Sequence, residues 1–231
     1  MVKNKDNPKG VVVGSSISSL SGTGCMRFVS RCLSSRLLVD RPSQFNARVL
    51  VVENELGHRV LRFGSEEGDD QSVFDPSEPS RLHLPYARFM AELLGRLDFE
   101  RVLMIGLGAG SIAKTLIHQR KRRIDVVEID PVVVEIAQTH LGFDESDDCM
   151  QVICCDGRKF VESCVPNSYD LVILDAYGPD QVPYDLSTRQ FLCSVLRILV
   201  PDSGLVAANV FGVSSLYRSI LETYHSVFDS V

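Results

Sequence analysis

The run Gly106-Leu107-Gly108-Ala109-Gly110-Ser111 follows a short apolar segment, Val102-Leu103-Met104-Ile105. Glycines at a strand-to-helix turn let the backbone bend sharply and approach a ligand that any Cβ would obstruct. Glycine also serves ordinary tight turns, so the loop alone says little. Glu128 lies 22 positions beyond Gly106, at the end of the next apolar run in Val127-Glu128-Ile129-Asp130. A carboxylate there can accept both hydroxyl hydrogens of a ribose, with Ile129 beside it; the alternative is a solvated strand-end carboxylate. Asp156-Gly157 follows a third run. Its carboxylate suits the exocyclic amine of adenine, and the Gly157 N–H a ring nitrogen. A helix N-cap explains Asp156 equally well. Asp175 closes a fourth run and opens Asp175-Ala176-Tyr177-Gly178-Pro179-Asp180. Ligands of open α/β sheets bind beyond the carboxyl ends of strands. Asp175 is therefore expected at the ligand's reactive end, holding or deprotonating an incoming amine, with Tyr177 as a wall. The alternative for Asp175 is structural, accepting from loop N–H groups.

These positions need a scaffold, and the periodicity supplies one. Strands are expected at 102–105, 124–127, 150–154, 170–174 and 204–210, almost wholly apolar. Helical stripes stand between them: Ile112, Leu116 and Ile117, then 132–141, 187–199 and 214–228. Apolar strands alternating with helices predict a mostly parallel sheet with helices on both faces, a Rossmann-like α/β fold. Upstream, 48–53 and 59–63 read as a β-hairpin around Gly57, with a short third strand at 71–74. Leu82, Tyr86, Phe89, Met90, Leu93 and Leu94 recur at helical spacing, with Ser80 as the expected cap. The expected organisation is an N-terminal extension over 1–41, poorly ordered, a small β region over 42–79, and the Rossmann-like domain over 80–231. A complete sheet of this kind needs roughly 20–30 further residues for a closing antiparallel hairpin. A truncated C-terminus or a sheet completed another way is expected.

Composition narrows the function classes. With 45% apolar and 23% charged residues the chain can bury a real core without metals or disulfides. A formal net charge of −6 gives no general attraction to nucleic acid or an anionic membrane. The basic run from His118 to Arg123 reads as a helix C-terminal cap. Seven cysteines stand without framework spacing; no CxxC or Cys/His cluster suggests zinc, and no metal is expected. Adjacent Cys154 and Cys155 read as buried small hydrophobes, and free thiols fit a reducing cytoplasm. No stretch approaches the ~20 apolar residues of a membrane span. The first 41 residues are serine-rich and basic, but Val11-Val12-Val13 is soon broken by Gly and Ser, a poor apolar region for a targeting segment.

From Val102 to Leu192 the chain resembles spermidine synthase and its spermidine-synthase-like relatives, within the class I methyltransferase superfamily. Val127-Glu128-Ile129-Asp130-Pro131, Asp156-Gly157, Tyr169 to Asp175, and Thr188-Arg189-Gln190-Phe191-Leu192 stand in that family's order and spacing. The upstream hairpin looks like the family's small N-terminal β-domain, so the resemblance covers roughly residues 48 to 228. It implies that Gly106, Gly108 and Gly110 line a sulfonium nucleoside, S-adenosylmethionine or its decarboxylated form. Glu128 would hold its ribose, Asp156 and Gly157 its adenine, with Ile129 also among the cofactor-binding residues. Asp175 falls at the family's catalytic aspartate, and Tyr177 and Asp180 would face a small amine. The product nucleoside would be methylthioadenosine or S-adenosylhomocysteine. Dimerisation through the N-terminal hairpin is also implied.

The departures from the pattern matter. The family's glycine-loop aspartate, which holds the aminopropyl ammonium, is Ala109 here, and a second aspartate after the catalytic one is Gly178. Pro85-Tyr86-Ala87 lies near the place of a Tyr-His-Glu stretch. Each lost charge-assisted hydrogen bond contributes roughly 1.5–3 kcal/mol. Aminopropyl transfer to a polyamine such as putrescine, methyl transfer, and nucleoside binding without catalysis therefore stand as alternatives. An NAD-dependent dehydrogenase is disfavoured, because Gly110-Ser111 opens the first helix where the dinucleotide fingerprint has its third glycine.

Overall fold

The computed structural model describes residues 11–14, 35–119, 123–144, 148–178, 182–210 and 215–228. The chain first contributes β1 (Val11–Gly14), then an antiparallel sheet of β2 (Arg36–Ser43), β3 (Ala47–Glu53), β4 (Arg59–Phe63) and β5 (Asp70–Phe74), paired in that order. It continues through α1 (Pro85–Gly95), β6 (Arg101–Ile105), α2 (Ser111–Gln119), β7 (Arg123–Glu128) and α3 (Pro131–His140). β8 (Met150–Cys154), α4 (Gly157–Ser163), β9 (Leu171–Leu174), α5 (Arg189–Ile198), β10 (Leu205–Asn209) and α6 (Ser215–His225) complete it. The large sheet runs β1-β10-β9-β6-β7-β8, and its described pairings are all parallel.

Residue alternation explains why this sheet is covered on both faces. Leu103 and Ile105 of β6, with Val172 and Leu174 of β9, pack with Phe191, Val195 and Ile198 of α5 and Ile220 of α6. Their neighbours Val102, Met104, Leu171 and Ile173 point the other way, onto Met90 and Leu94 of α1 and Ile112 and Leu116 of α2. Successive strand side chains face opposite sides, so a strand buried on both must be apolar throughout. Removing one such leucine side chain costs about 2–5 kcal/mol.

The small sheet has its own partner. Val49, Val51, Leu61, Phe63 and Phe74 pack with Val133, Ile136 and Leu141 along α3 and with Ala109 of the glycine loop. Asp130 fastens that junction. It is fully buried, caps α3 by accepting from the Val132 N–H at 2.9 Å, and accepts from Asn46 Nδ2 at 2.8 Å and from the Ser43 hydroxyl.

Several expectations change. The boundary drawn after residue 41 falls inside β2, a fourth strand of the small sheet that the sequence pattern did not reveal. Its RLLVDRPS sequence lacks clean alternation and carries Pro42, which an edge strand tolerates. Val11–Gly14, within the expected N-terminal extension, pairs in parallel with β10. β1 thus stands at the edge where an antiparallel hairpin was expected. Residues 1–10 and 15–34 of that extension lie outside the described residues. Helix α1 begins at Pro85 rather than near Ser80, with Leu84 at the N-cap and no side-chain cap. Proline needs no acceptor for an N–H and arrives with a helical φ. Cys154 is exposed rather than buried, because β8 is the sheet's other edge. Most of the basic run after His118 lies outside the described residues, and Arg123 opens β7 instead of ending a helix. No helix among the described residues is long and apolar enough to cross a membrane.

Candidate functional site

The chain reverses direction across the sheet between β6 and β9. From β6 it proceeds outward through β7 and β8, and β9 and β10 then lie on β6's other side. Helices leave the carboxyl ends of β6 and β9 in opposite directions, opening a crevice at that switch point. A cavity of about 300 Å³ occupies it. Gly106, Gly108, Glu128, Ile129, Asp156, Gly157, Asp175 and Tyr177 all line this one cavity. Gly110 does not, and Asp180 lies outside the described residues.

The glycine loop is held by backbone geometry that only glycine adopts easily. Gly106 has φ +99°, and a Cβ there would run into the carbonyl of Asp175. Its N–H donates to the Val127 carbonyl and the Asp175 N–H donates to the Ile105 carbonyl, both at 2.9 Å. The loops after β6 and β9 are thereby brought into contact. Gly108 has φ +55° and lies beneath the side chain of Ser72, whose hydroxyl accepts from the Ala109 N–H at 3.1 Å. β5 therefore closes over the loop. Gly110, at φ +68°, is backed by the Phe143 ring. It packs against the segment after α3 and is absent from the cavity wall. Ala109 is also absent from that wall and buried in the small-sheet cluster.

Glu128 bridges two turns. Oε2 accepts from the Leu107 N–H at 2.9 Å, and Oε1 from the Asp130 N–H at 3.0 Å. Burial pushes its carboxyl up from the ordinary value, while these backbone donors act the other way. Each oxygen keeps a further lone pair for a ligand hydroxyl. Asp156 caps α4 through Oδ1, which accepts from the N–H groups of Arg158 at 2.8 Å and Lys159 at 3.1 Å. The N-cap alternative is thus present, on a residue that also borders the cavity.

Asp175 has the most unusual setting. Oδ1 accepts from Asn209 Nδ2 at 2.9 Å, and Oδ2 stands 3.5 Å from the Tyr86 hydroxyl. Burial raises its pKa to about 7, against the pull of those two donors. A carboxylate with that value divides between its two protonation states near neutrality, which suits a general base. Tyr177 lines the cavity, and its hydroxyl donates to the Asn209 carbonyl at 2.9 Å, fixing the residue that fixes Asp175. Burial, then the adjacent Asp175, keeps the Tyr86 phenol well above its ordinary value, so it stays protonated and can donate a hydrogen bond to Asp175.

The sequence reasoning missed Asn209 and did not place Tyr86 in the site. Both had a signal. Asn209 is the polar residue that ends an otherwise apolar strand, as Asp175 does, and Tyr86 follows the proline that starts α1. Ser72, Gln71, His83 and Asp185 also border the cavity and were not singled out.

Together, the parallel sheet, its switch-point crevice and the glycine loop define a Rossmann-like domain of the class I methyltransferase type. Residues 85–229 match the model described as the spermine/spermidine synthase domain, so the chain belongs to that family. It is 35% identical over 185 residues to a polyamine aminopropyltransferase of Vibrio vulnificus, which covers 78% of this chain and 61% of that protein. A polyamine aminopropyltransferase of Chromobacterium violaceum is 30% identical over 180 residues, 77% of this chain and 67% of that one. The chain thus spans about three fifths to two thirds of the length of these relatives. Among solved structures, a probable spermidine synthase from Corynebacterium glutamicum superposes with a TM-score of 0.68 at 22% identity. That match covers 85% of this chain and 71% of the other, and it shows the same fold.

Proposed function

We propose that this chain is an aminopropyltransferase. It would bind decarboxylated S-adenosylmethionine in the switch-point crevice and pass the aminopropyl group to a small amine such as putrescine. The observation that carries this reading is the position of Asp175 at the carboxyl end of β9, on the wall of the cavity that Gly106 and Glu128 also line, where burial raises its pKa. Family membership and the relatives named polyamine aminopropyltransferase support the reaction class. Glu128 accepts from the ribose hydroxyls, and Asp156 and Gly157 meet the adenine. Asp175 takes the proton from the attacking ammonium. The amine nitrogen then displaces the sulfonium at the aminopropyl carbon, releasing neutral methylthioadenosine. Much of the rate comes from holding nitrogen, carbon and sulfur in line in a site shielded from water.

Methyl transfer from S-adenosylmethionine is the second reading. It is favoured by Ala109, which leaves the glycine loop without the carboxylate that the family pattern has at this position. Calorimetry and turnover separate the two. The aminopropyl reading expects methylthioadenosine to bind more tightly than S-adenosylhomocysteine, and expects putrescine with decarboxylated S-adenosylmethionine to yield spermidine and methylthioadenosine. The reverse affinity order without spermidine would favour methyl transfer. Binding without turnover of either donor would leave a nucleoside-binding protein.

A further inference from the structure

Three side chains outside this chemistry converge at the small sheet's junction with α1. His58 lies in the turn between β3 and β4, Asp75 directly follows β5, and His83 precedes the proline that opens α1. Their ligand atoms all lie within 4.8 Å of one another. His58 Nε2 is 3.4 Å from Asp75 Oδ2, and His83 Nε2 is 3.6 Å from the same oxygen. Asp75 is buried, and both histidine side chains are 16% exposed.

Those separations exceed the about 2.7–3.2 Å usual for nitrogen–oxygen hydrogen bonds. The buried Nε2 of His83 has no hydrogen-bond partner among the described residues. A buried ring nitrogen left so is costly unless something else occupies the space. The two histidine–aspartate distances instead match edges of a coordination tetrahedron, and the two histidine donor atoms lie within 4.8 Å of each other. Bonds of about 2.0–2.2 Å to zinc place neighbouring donor atoms about 3.3–3.6 Å apart. The two rings are tilted by 50° with centroids 4.4 Å apart, so they do not stack face to face.

Asp75 is already aimed. Its Oδ1 accepts from the Ser77 N–H at 2.8 Å and the Ser77 hydroxyl at 2.6 Å, leaving Oδ2 turned to the imidazoles. Metal-ligating carboxylates are ordinarily oriented in this way by hydrogen bonds to the other oxygen. Two imidazoles and one carboxylate are the ligand set for a divalent first-row transition ion, and three protein ligands leave a fourth position for water.

We propose that His58, Asp75 and His83 bind a divalent transition cation of the zinc class. The ion would tie the β3–β4 turn and the end of β5 to the segment that delivers Tyr86 to Asp175. His83 also borders the cavity, so the ion would sit at its rim. This inference is independent of the reading of the crevice, because its test contains no nucleoside and no turnover.

The test uses the full chain after chelator treatment, titrated with Co²⁺ by visible absorption and with Zn²⁺ by calorimetry. One saturable equivalent is expected, with the d–d bands of bound Co²⁺ displaced by Zn²⁺. His58→Ala and His83→Ala should each abolish the bands, and Ser77→Ala should weaken binding about 10–100-fold. NMR of the histidine ring nitrogens in the unmutated chain does not depend on variants folding. On Zn²⁺ addition His58 and His83 should shift, while His118, His140 and His225 stay. No saturable binding, bands that survive in both histidine variants, or shifts confined to the other three histidines would overturn the proposal.

Discussion

The Tyr86 hydroxyl stands 3.5 Å from Oδ2 of Asp175, although 89 residues separate the two along the chain. Tyr86 belongs to the helix that precedes the first core strand, and Asp175 ends the fourth strand of the alternating unit. Their meeting brings the lead-in segment to the Asp175 end of the crevice. With Asn209 on the other oxygen, it gives Asp175 two donors and a burial strong enough to outweigh them.

Replacing Asp175 by asparagine keeps the shape and removes the base. Turnover should fall by about 10²–10⁴-fold, the usual contribution of a positioned acid–base group. Affinity for methylthioadenosine, read by calorimetry, should change little. The same variant has a stability signature. Between its ordinary value of 3.8 and its native value of about 7, Asp175 keeps a proton when folded that it has lost when unfolded. The stability from protonated Asp175 is therefore complete below that window and is lost as pH rises through it. Relative to the parent, Asp175→Asn should melt at a higher temperature at alkaline pH than at acid pH.

The pH profile should follow the two donors in order. The acid limb of kcat/KM is expected near pH 7, with activity rising as Asp175 ionises. Asn209 is the larger of the two influences that lower this carboxyl, and Tyr86 the smaller. Asn209→Ala should move the limb further to the alkaline side than Tyr86→Phe. A limb that stays fixed in both variants would show that Asp175 is not the titrating base.

Glu128→Gln tests the ribose contact. Exchanging a charged acceptor for a neutral one should weaken methylthioadenosine binding by roughly 1.5–3 kcal/mol, about 10–150-fold in Kd. Some loss of melting temperature should accompany it, because Leu107 and Asp130 donate to the same carboxylate.

The two cavity-lining glycines should not be equally sensitive. A Cβ at Gly106 meets the backbone of Asp175, which cannot withdraw without displacing the base. At Gly108 it meets the Ser72 side chain, which can rotate. Both positions lie at positive φ, a strain of about 1–2 kcal/mol for alanine. Thermal melts should show Gly106→Ala losing substantially more stability than Gly108→Ala, and only the former should also abolish turnover.

Much of this architecture is legible in the chain itself. The central strands β6, β9 and β10 are almost wholly apolar because helices cover both faces, and acidic residues at or just past the ends of β7, β8 and β9 line the crevice. Glu128, Asp156 and Asp175 therefore stand out as soon as the alternation is recognised. What was not legible depends on contacts distant in sequence. Strand β2 has an irregular pattern and finds its pairing only through β3. Val11–Gly14 has no local sign that it will pair with β10, nearly two hundred residues later. The meeting of His58, Asp75 and His83 joins a hairpin turn to a linker, with no spacing motif to announce it. Gly110, expected on the cavity wall, instead packs against Phe143, because the same residue type serves both a ligand approach and a close side-chain contact.

The most direct measurement is a crystal structure of the chain soaked with methylthioadenosine. The nucleoside should lie in the crevice between the ends of β6 and β9, its ribose hydroxyls on the Glu128 carboxylate and its sulfur toward Asp175. A ligand lodged elsewhere, or one in the crevice whose ribose faces away from Glu128, would contradict the proposal.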